Sequence, residues 1–106
     1  LAVAAEDALT WVGQCRAGDV LGVTDGEVAL IEPGPPNPDA LLAGAMRLLD
    51  RMLEPGGELI TVLLGESAPA RIADELEAHV RDEHPEFDLT VYVGGQRDSV
   101  LLLGIE

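Results

Sequence analysis

Residues 59–64, Leu59-Ile60-Thr61-Val62-Leu63-Leu64, make a nearly unbroken apolar run, followed by Gly65-Glu66-Ser67-Ala68-Pro69. The run has strand length and no polar alternation, as expected of a strand covered on both faces. A helical pattern follows it. Ile72, Leu76 and Val80 keep i, i+4, i+8 spacing, Pro85 ends the pattern by His84, and a helix starting at Ser67-Ala68-Pro69 is predicted. Phe87 to Val93 then alternates apolar residues with Asp88, Thr90 and Tyr92. A strand–helix–strand unit closes by a crossover onto a parallel pair, so 59–64 and 87–93 are predicted to run parallel. Val100 to Ile105 is expected to return antiparallel beside Phe87–Val93.

Upstream of this unit, Val20-Leu21-Gly22-Val23 faces Val28-Ala29-Leu30-Ile31 across Thr24-Asp25-Gly26-Glu27. Asp-Gly between two apolar runs is a strong hairpin signal, because a type I′ turn needs positive φ. Glu32 to Asn37 carries three of the seven Pro and reads as a loop. Asn37-Pro38 reads as an N-cap and first helical residue, and Leu41, Leu42, Ala45, Met46, Leu48, Leu49, Met52 and Leu53 continue at helical spacing. Pro55 and Gly56-Gly57 stop that helix. Leu1 to Ala5 reads as an edge strand and Glu6 to Gly18 as irregular. The class is α/β: a mixed sheet with two helices, a parallel strand–helix–strand core and antiparallel hairpins.

Residues 1–106 fit one domain. Apolar residues are 47% of the chain but aromatics only 3%, so the core must be aliphatic. Twenty acidic residues against six Arg give a net charge of −14. Such a surface repels phosphate backbones and anionic lipid heads, which argues against nucleic-acid binding and favours Arg-bearing protein partners. No apolar run reaches the roughly 18 residues of a membrane span. A single Cys, Cys15, fits a reducing cytoplasm. The first residue is Leu1, and the chain reads as a piece cut from a longer protein.

Parallel strands bring their carboxyl ends to one edge, where open α/β sheets place ligands. Gly65, Glu66 and Ser67 are therefore expected beside Gly94, Gly95 and Gln96. The start of the second helix would add free N–H groups, an anion site in form. Against this, double Gly is also ordinary turn chemistry. Gly65-Glu66-Ser67-Ala68-Pro69 half resembles a nucleophile elbow, but Pro69 stands where the second Gly belongs, and an N-capping Ser explains the residue. His79 and His84 lie about 15 to 25 Å down a helix from Ser67, at 1.5 Å rise per residue, and both read as structural. One Cys and two His at unsuitable spacing give no zinc pattern, although the carboxylates would suffice for weak calcium binding. Cys15 beside Arg16 reads as an ordinary partly buried Cys rather than an activated thiol. No GxxxxGK[S/T] or GxGxxG loop occurs. Catalytic residues and metal ligands are expected to be absent.

Three stretches then combine: Cys15 to Gly22 with Asp25-Gly26-Glu27-Val28, Glu58 to Glu66, and Val93-Gly94-Gly95-Gln96 followed by Leu102 to Glu106. In this order and spacing they resemble the C-terminal domain of the dihydroxyacetone-kinase-like proteins, the ATP-binding subunit of bacterial fatty-acid kinase. That family is often labelled DAK phosphatase or DegV-associated. The resemblance covers the chain from about Glu6 to Glu106. It implies an N-terminal kinase domain holding ATP and magnesium, with no cofactor in the present domain. It also implies a middle domain for dimerisation, and a C-terminal domain that engages a DegV-type fatty-acid-binding protein. The family tail usually reads Gly-Gly-Gln-Pro with an aromatic residue and a Pro after it. Here Gly94, Gly95 and Gln96 carry over, while Arg97, Asp98 and Ser99 depart from the pattern.

The expectation is thus a non-catalytic docking domain of a cytoplasmic fatty-acid kinase, with Gly65, Glu66, Ser67, Gly94, Gly95 and Gln96 at the partner-binding edge. Two other classes compete. One is a small hydrolase or phosphatase using Ser67 or Cys15, opposed by the missing base, metal cluster and phosphate loop. The other is a small-molecule sensor at the Gly65/Gly94 edge, opposed by the scarcity of aromatics to line a pocket.

Overall fold

A computed structural model describes all 106 residues. Eight strands and two helices follow the order β1 (Ala2–Val3), β2 (Ala8–Thr10), β3 (Gly13–Cys15), β4 (Val20–Thr24), β5 (Glu27–Glu32), α1 (Pro38–Leu53), β6 (Leu59–Leu64), α2 (Ile72–Glu83), β7 (Asp88–Val93) and β8 (Leu101–Ile105). They form two three-stranded sheets, β1-β4-β5 and β7-β6-β8, and a separate β2-β3 hairpin. The class is the α/β mixed arrangement expected. No helix is long and apolar enough to cross a membrane.

Local chemistry explains most boundaries. Asp25 and Gly26 both take positive φ, 53° and 79°, as a type I′ turn demands, and Thr24 pairs with Glu27 across it. The Asn37 side chain accepts the Ala40 N–H at 2.8 Å, capping α1, with Pro38 at the first helical position. The buried face of α1 includes Leu41, Ala45, Leu48, Leu49 and Leu53, and that of α2 is Ile72, Leu76 and Val80. These side chains join Val20, Leu30, Ile60, Val62, Val100 and Leu101 in one aliphatic core.

β6 and β7 run parallel in register from Leu59–Asp88 to Leu64–Val93. The expected neighbour of β8 needs correction. β8 pairs antiparallel with β6, Leu64 opposite Leu101, and not with β7. β6 is the most continuously apolar strand and takes the centre, and the segment after β7 crosses its end instead of turning back as a hairpin. Two inter-strand spacings are about 10 Å, well within reach of the seven residues from Gly94 to Val100.

Leu1 extends β1 and joins the two sheets. Its main-chain nitrogen donates to the Leu101 carbonyl (3.0 Å), and the Val100 N–H donates to the Leu1 carbonyl (2.7 Å). β1 is the edge strand expected, paired with β4 in the first sheet, and Leu1 ties it to β8.

Both helices pack on one face, α1 against β4, β5 and β8, α2 against β7, and the two against each other. β6 is therefore covered on one face only: Ile60 and Val62 are buried while Leu59 and Thr61 are exposed. Three further expectations change. Residues 6–18 are not irregular throughout but hold the β2-β3 hairpin, whose exposed Leu9 and Trp11 stand 82% accessible. α2 begins at Ile72, preceded by turns, so Ser67 is not its N-cap. Pro69 instead supplies a carbonyl to the Ile72 N–H (3.1 Å).

Candidate functional site

The crossing of β6 brings the expected residues together. Leu64 ends β6, and its carbonyl accepts the N–H groups of both Gly94 and Gly95, at 2.9 and 3.0 Å. The Gln96 side-chain amide donates to the Leu63 carbonyl at 3.0 Å. In return the Glu66 N–H donates to the Gln96 carbonyl and the Gly65 N–H to the Val100 carbonyl, both at 2.7 Å. A knot of five hydrogen bonds thus closes the end of the central strand. Gly65 is buried within it, because a Cβ there would collide with the Ser99 carbonyl and come within 2.7 Å of that of Val100. Gly95 sits at φ +70°, where a side chain is strained.

Most of this polar capacity is turned inward. Gln96 is half-buried with its amide engaged by β6, so it is not the free loop residue that the sequence suggests. The outward groups are Glu66, Ser67 and Arg97, around a shallow polar depression, with Arg97 Nε 2.9 Å from Glu66 Oε2. The strand-to-helix geometry does not provide the anion site expected. α2 starts five residues after Ser67, and Asp74 and Glu75 already occupy its first turn. Its positive dipole end is met by the chain's own carboxylates. This edge does not fit a nucleoside triphosphate with magnesium, since a phosphate cradle needs free N–H groups where Gly65 and Glu66 donate to carbonyls.

Ser67 is exposed, and the two imidazoles of the chain are engaged elsewhere. Cys15 is buried, its thiol facing the Glu6 carbonyl at 4.0 Å. Neither residue has the neighbouring base that nucleophilic catalysis uses. A mainly apolar cleft of about 460 Å³ lies between the sheets, with Leu1, Val23, Met52, Leu103 and Ile105 in its walls, away from the Gly65/Gly94 edge.

Next to the knot, the face of β7-β6-β8 opposite the helices is open. Register places Tyr92, Leu63 and Leu102 in one cross-strand row, with Thr90, Thr61 and Gly104 in the next. Tyr92 and Leu102 are 55% and 49% exposed. Alternation was legible in β7 alone; that one face of β6 would be left bare was not.

Spacing along the chain offers no ligand pattern for His79 and His84, yet they converge with Asp50. Asp50 Oδ1 lies 2.6 Å from His79 Nε2 and 2.9 Å from His84 Nε2. Five-residue spacing would splay two side chains on a continuous helix. Here α2 ends at Glu83, and His84, with φ −137° and ψ 55°, swings its ring back beside His79. Burial alone would raise the Asp50 carboxyl, but hydrogen bonds from His79 and His84, and their charge, hold it below the ordinary value. Pro85 was the one available signal, since it marks the helix end at which His84 departs.

Comparison with known proteins gives the family. Residues 1–106 match the family of FakA-like C-terminal domains, which belong to the A-like subunits of fatty acid kinase. The chain is 27% identical over 81 residues to Protein YloV of Bacillus subtilis (strain 168), an alignment covering 76% of this chain and 14% of that protein.

Proposed function

The chain belongs to the family of C-terminal domains found in the A-like subunits of fatty acid kinase, and from that premise we propose that it is a non-catalytic docking domain. In this reading a kinase domain elsewhere in the full protein holds ATP and magnesium. The phosphoryl group passes to the carboxylate of a fatty acid carried by a separate DegV-type protein. The present chain holds that protein in place.

The open sheet face is the observation that carries the reading. Contiguous exposed apolar surface beside polar residues marks interaction sites, and Tyr is among the side chains enriched at binding hot spots. The row Tyr92–Leu63–Leu102 would form the centre of the contact. Thr90, Thr61 and Asp88 lie beside it on the same face. The knot of Gly65, Gly94, Gly95 and Gln96 fixes the end of this face rather than reaching for the partner, and Glu66, Ser67 and Arg97 stand at its rim. The −14 charge suits a partner with basic groups around its own contact patch, through faster encounter and fixed register.

The test is a titration of the DegV-type partner with the full-length kinase protein. Tyr92→Ala should weaken binding at least about tenfold, the scale of a hot-spot truncation. The melting temperature should change little, because the side chain is largely in solvent. Unchanged affinity in a folded variant would remove the open face from the docking site.

A further inference from the structure

We propose that Asp50, His79 and His84 form a binding site for a divalent transition-metal ion of the zinc class, held between the two helices. Each residue offers one ligand atom, and these atoms all lie within 4.8 Å of one another. Both imidazole Nε2 atoms aim at the same carboxylate oxygen, so their lone-pair directions meet in one small volume. A tetrahedral ion with ligands at about 2.0–2.1 Å needs its donors about 3.3 Å apart. The two His-to-Asp separations of 2.6 and 2.9 Å must therefore open by about 0.7 and 0.4 Å, with the imidazoles re-aimed at the ion, which replaces the protons now shared between the rings and the carboxylate.

The donor set selects the metal class. Two imidazoles and a carboxylate suit Zn²⁺ and its neighbours Co²⁺ and Ni²⁺, whereas Ca²⁺ and Mg²⁺ take oxygen ligands. Three protein ligands leave a position open, and Asp50 is half exposed, so water or a group from another molecule can complete the coordination. The surrounding surface, at a net charge of −14, favours cation entry. The ligands come from the last turn of α1, from α2 and from its end, so the ion would staple the two helices together on the side away from the open sheet face. The site stands whether or not that face docks a partner.

The experiment adds ZnCl₂ or CoCl₂ to the purified, chelator-treated protein at neutral pH and follows binding by calorimetry and by the visible absorption of Co²⁺. The expected result is one ion per chain and a raised melting temperature. The Co²⁺ spectrum should be that of a four- or five-coordinate nitrogen and oxygen site, without the thiolate band that Cys15 would give. Asp50→Asn, His79→Gln and His84→Gln should each weaken Zn²⁺ binding at least about tenfold, no less than the loss of an outer-shell partner commonly does. Circular dichroism checks that each variant is folded, and the three changes sit on different turns, so misfolding of one leaves two. Absence of saturable binding to the folded protein overturns the proposal. So does binding that survives in all folded variants, or that excess Ca²⁺ displaces, because the ion would then sit on ordinary surface carboxylates.

Discussion

The end of β6 and the contact between α1 and α2 each gather polar groups from distant parts of the chain, but they use them in opposite ways. At the end of β6 the groups are nearly all backbone: the carbonyls of Leu63, Leu64, Gln96 and Val100 and the N–H groups of Gly65, Glu66, Gly94 and Gly95, with one side-chain amide from Gln96. Each donor has an acceptor inside the fold. Between the helices the groups are side chains that converge on one another, with Asp50 half exposed. Glycines and an amide after a strand look like a binding loop in sequence, and the same residue types are what a chain needs to knit one strand end over another. Backbone knots fix geometry. Convergent side chains leave chemistry available.

The strongest way to break the knot is Gly65→Ala. The added methyl group must enter a space already filled by the carbonyls of Ser99, Val100 and Gln96, and backbone cannot move aside as a flexible side chain can. Overpacking costs about 1–3 kcal/mol, and backbone neighbours that cannot yield put this change at the upper end. Urea unfolding should show an unfolding free energy lower by that amount, read as a lower midpoint at unchanged slope. A Gly65→Ala protein as stable as the parent would mean that β8 is not clamped to β6 as described.

Gln96→Ala comes next. It removes the donor to the Leu63 carbonyl and leaves a partly buried acceptor short of a partner, a loss of about 1 kcal/mol. Were Gln96 the exposed loop residue that its neighbours in sequence suggest, the change would be within about 0.5 kcal/mol. The same urea experiment separates the two values. Partner affinity measured on the folded variant should fall less than for Tyr92→Ala, since the amide faces β6.

These two positions show what could and could not be read from the chain. The Asp25-Gly26 turn, the Asn37 cap, the buried faces of both helices and the parallel pair were all legible, because each is written in residues close together in sequence. The partner of β8 was not, since strand order depends on which strand wins the centre of the sheet. The β2-β3 hairpin was missed for a local reason. Its turn residues are Trp11 and Val12 rather than Asn-Gly, and the turn is held by Thr10, whose hydroxyl donates to the Gly13 carbonyl at 2.7 Å and accepts the Val12 N–H at 3.2 Å. Thr at the first place and Gly at the fourth was the available sign. The His pair escaped because helical spacing was applied to His84, which is no longer helical.

Asp19 extends the comparison, as a carboxylate used in the manner of the knot. Its Oδ1 accepts the Gly34 N–H and its Oδ2 the Arg16 N–H, both at 2.9 Å. These two bonds, Gly34 first and Arg16 second, hold its carboxyl below the ordinary value of 3.8. A depressed acid contributes stability that is complete above its unfolded value and is lost as pH falls through the folded one. Melting temperature should therefore fall as pH drops below about 4. Asp19→Asn should lower it at neutral pH and flatten that acid limb, the two proteins converging at the acid end. Parallel curves for the two proteins down to the lowest pH would show that Asp19 is not what couples the 16–19 turn to the 34 loop.

Arg97→Ala should have the smallest effect, and its smallness is informative. Arg97 pairs with Glu66 at 2.9 Å, but the two side chains are 88% and 60% exposed. Water screens such a pair, and holding two long side chains in one geometry offsets much of the attraction, so exposed pairs contribute about 0.2–1 kcal/mol at most. Melting of the variant should stay within about 0.5 kcal/mol of the parent, well short of Gln96→Ala one residue away. That contrast between adjacent positions is the sharpest test of how the loop is built: residue 96 belongs to the knot and residue 97 only stands over it. Arg97 is also one of six cations on a chain of twenty acids. If the rim beside the open face takes part in docking, Arg97→Ala should change the salt dependence of partner association while leaving the fold alone. Loss of stability as large as that of Gln96→Ala would instead place Arg97 inside the knot, and the division between inward and outward groups at the end of β6 would have to be redrawn.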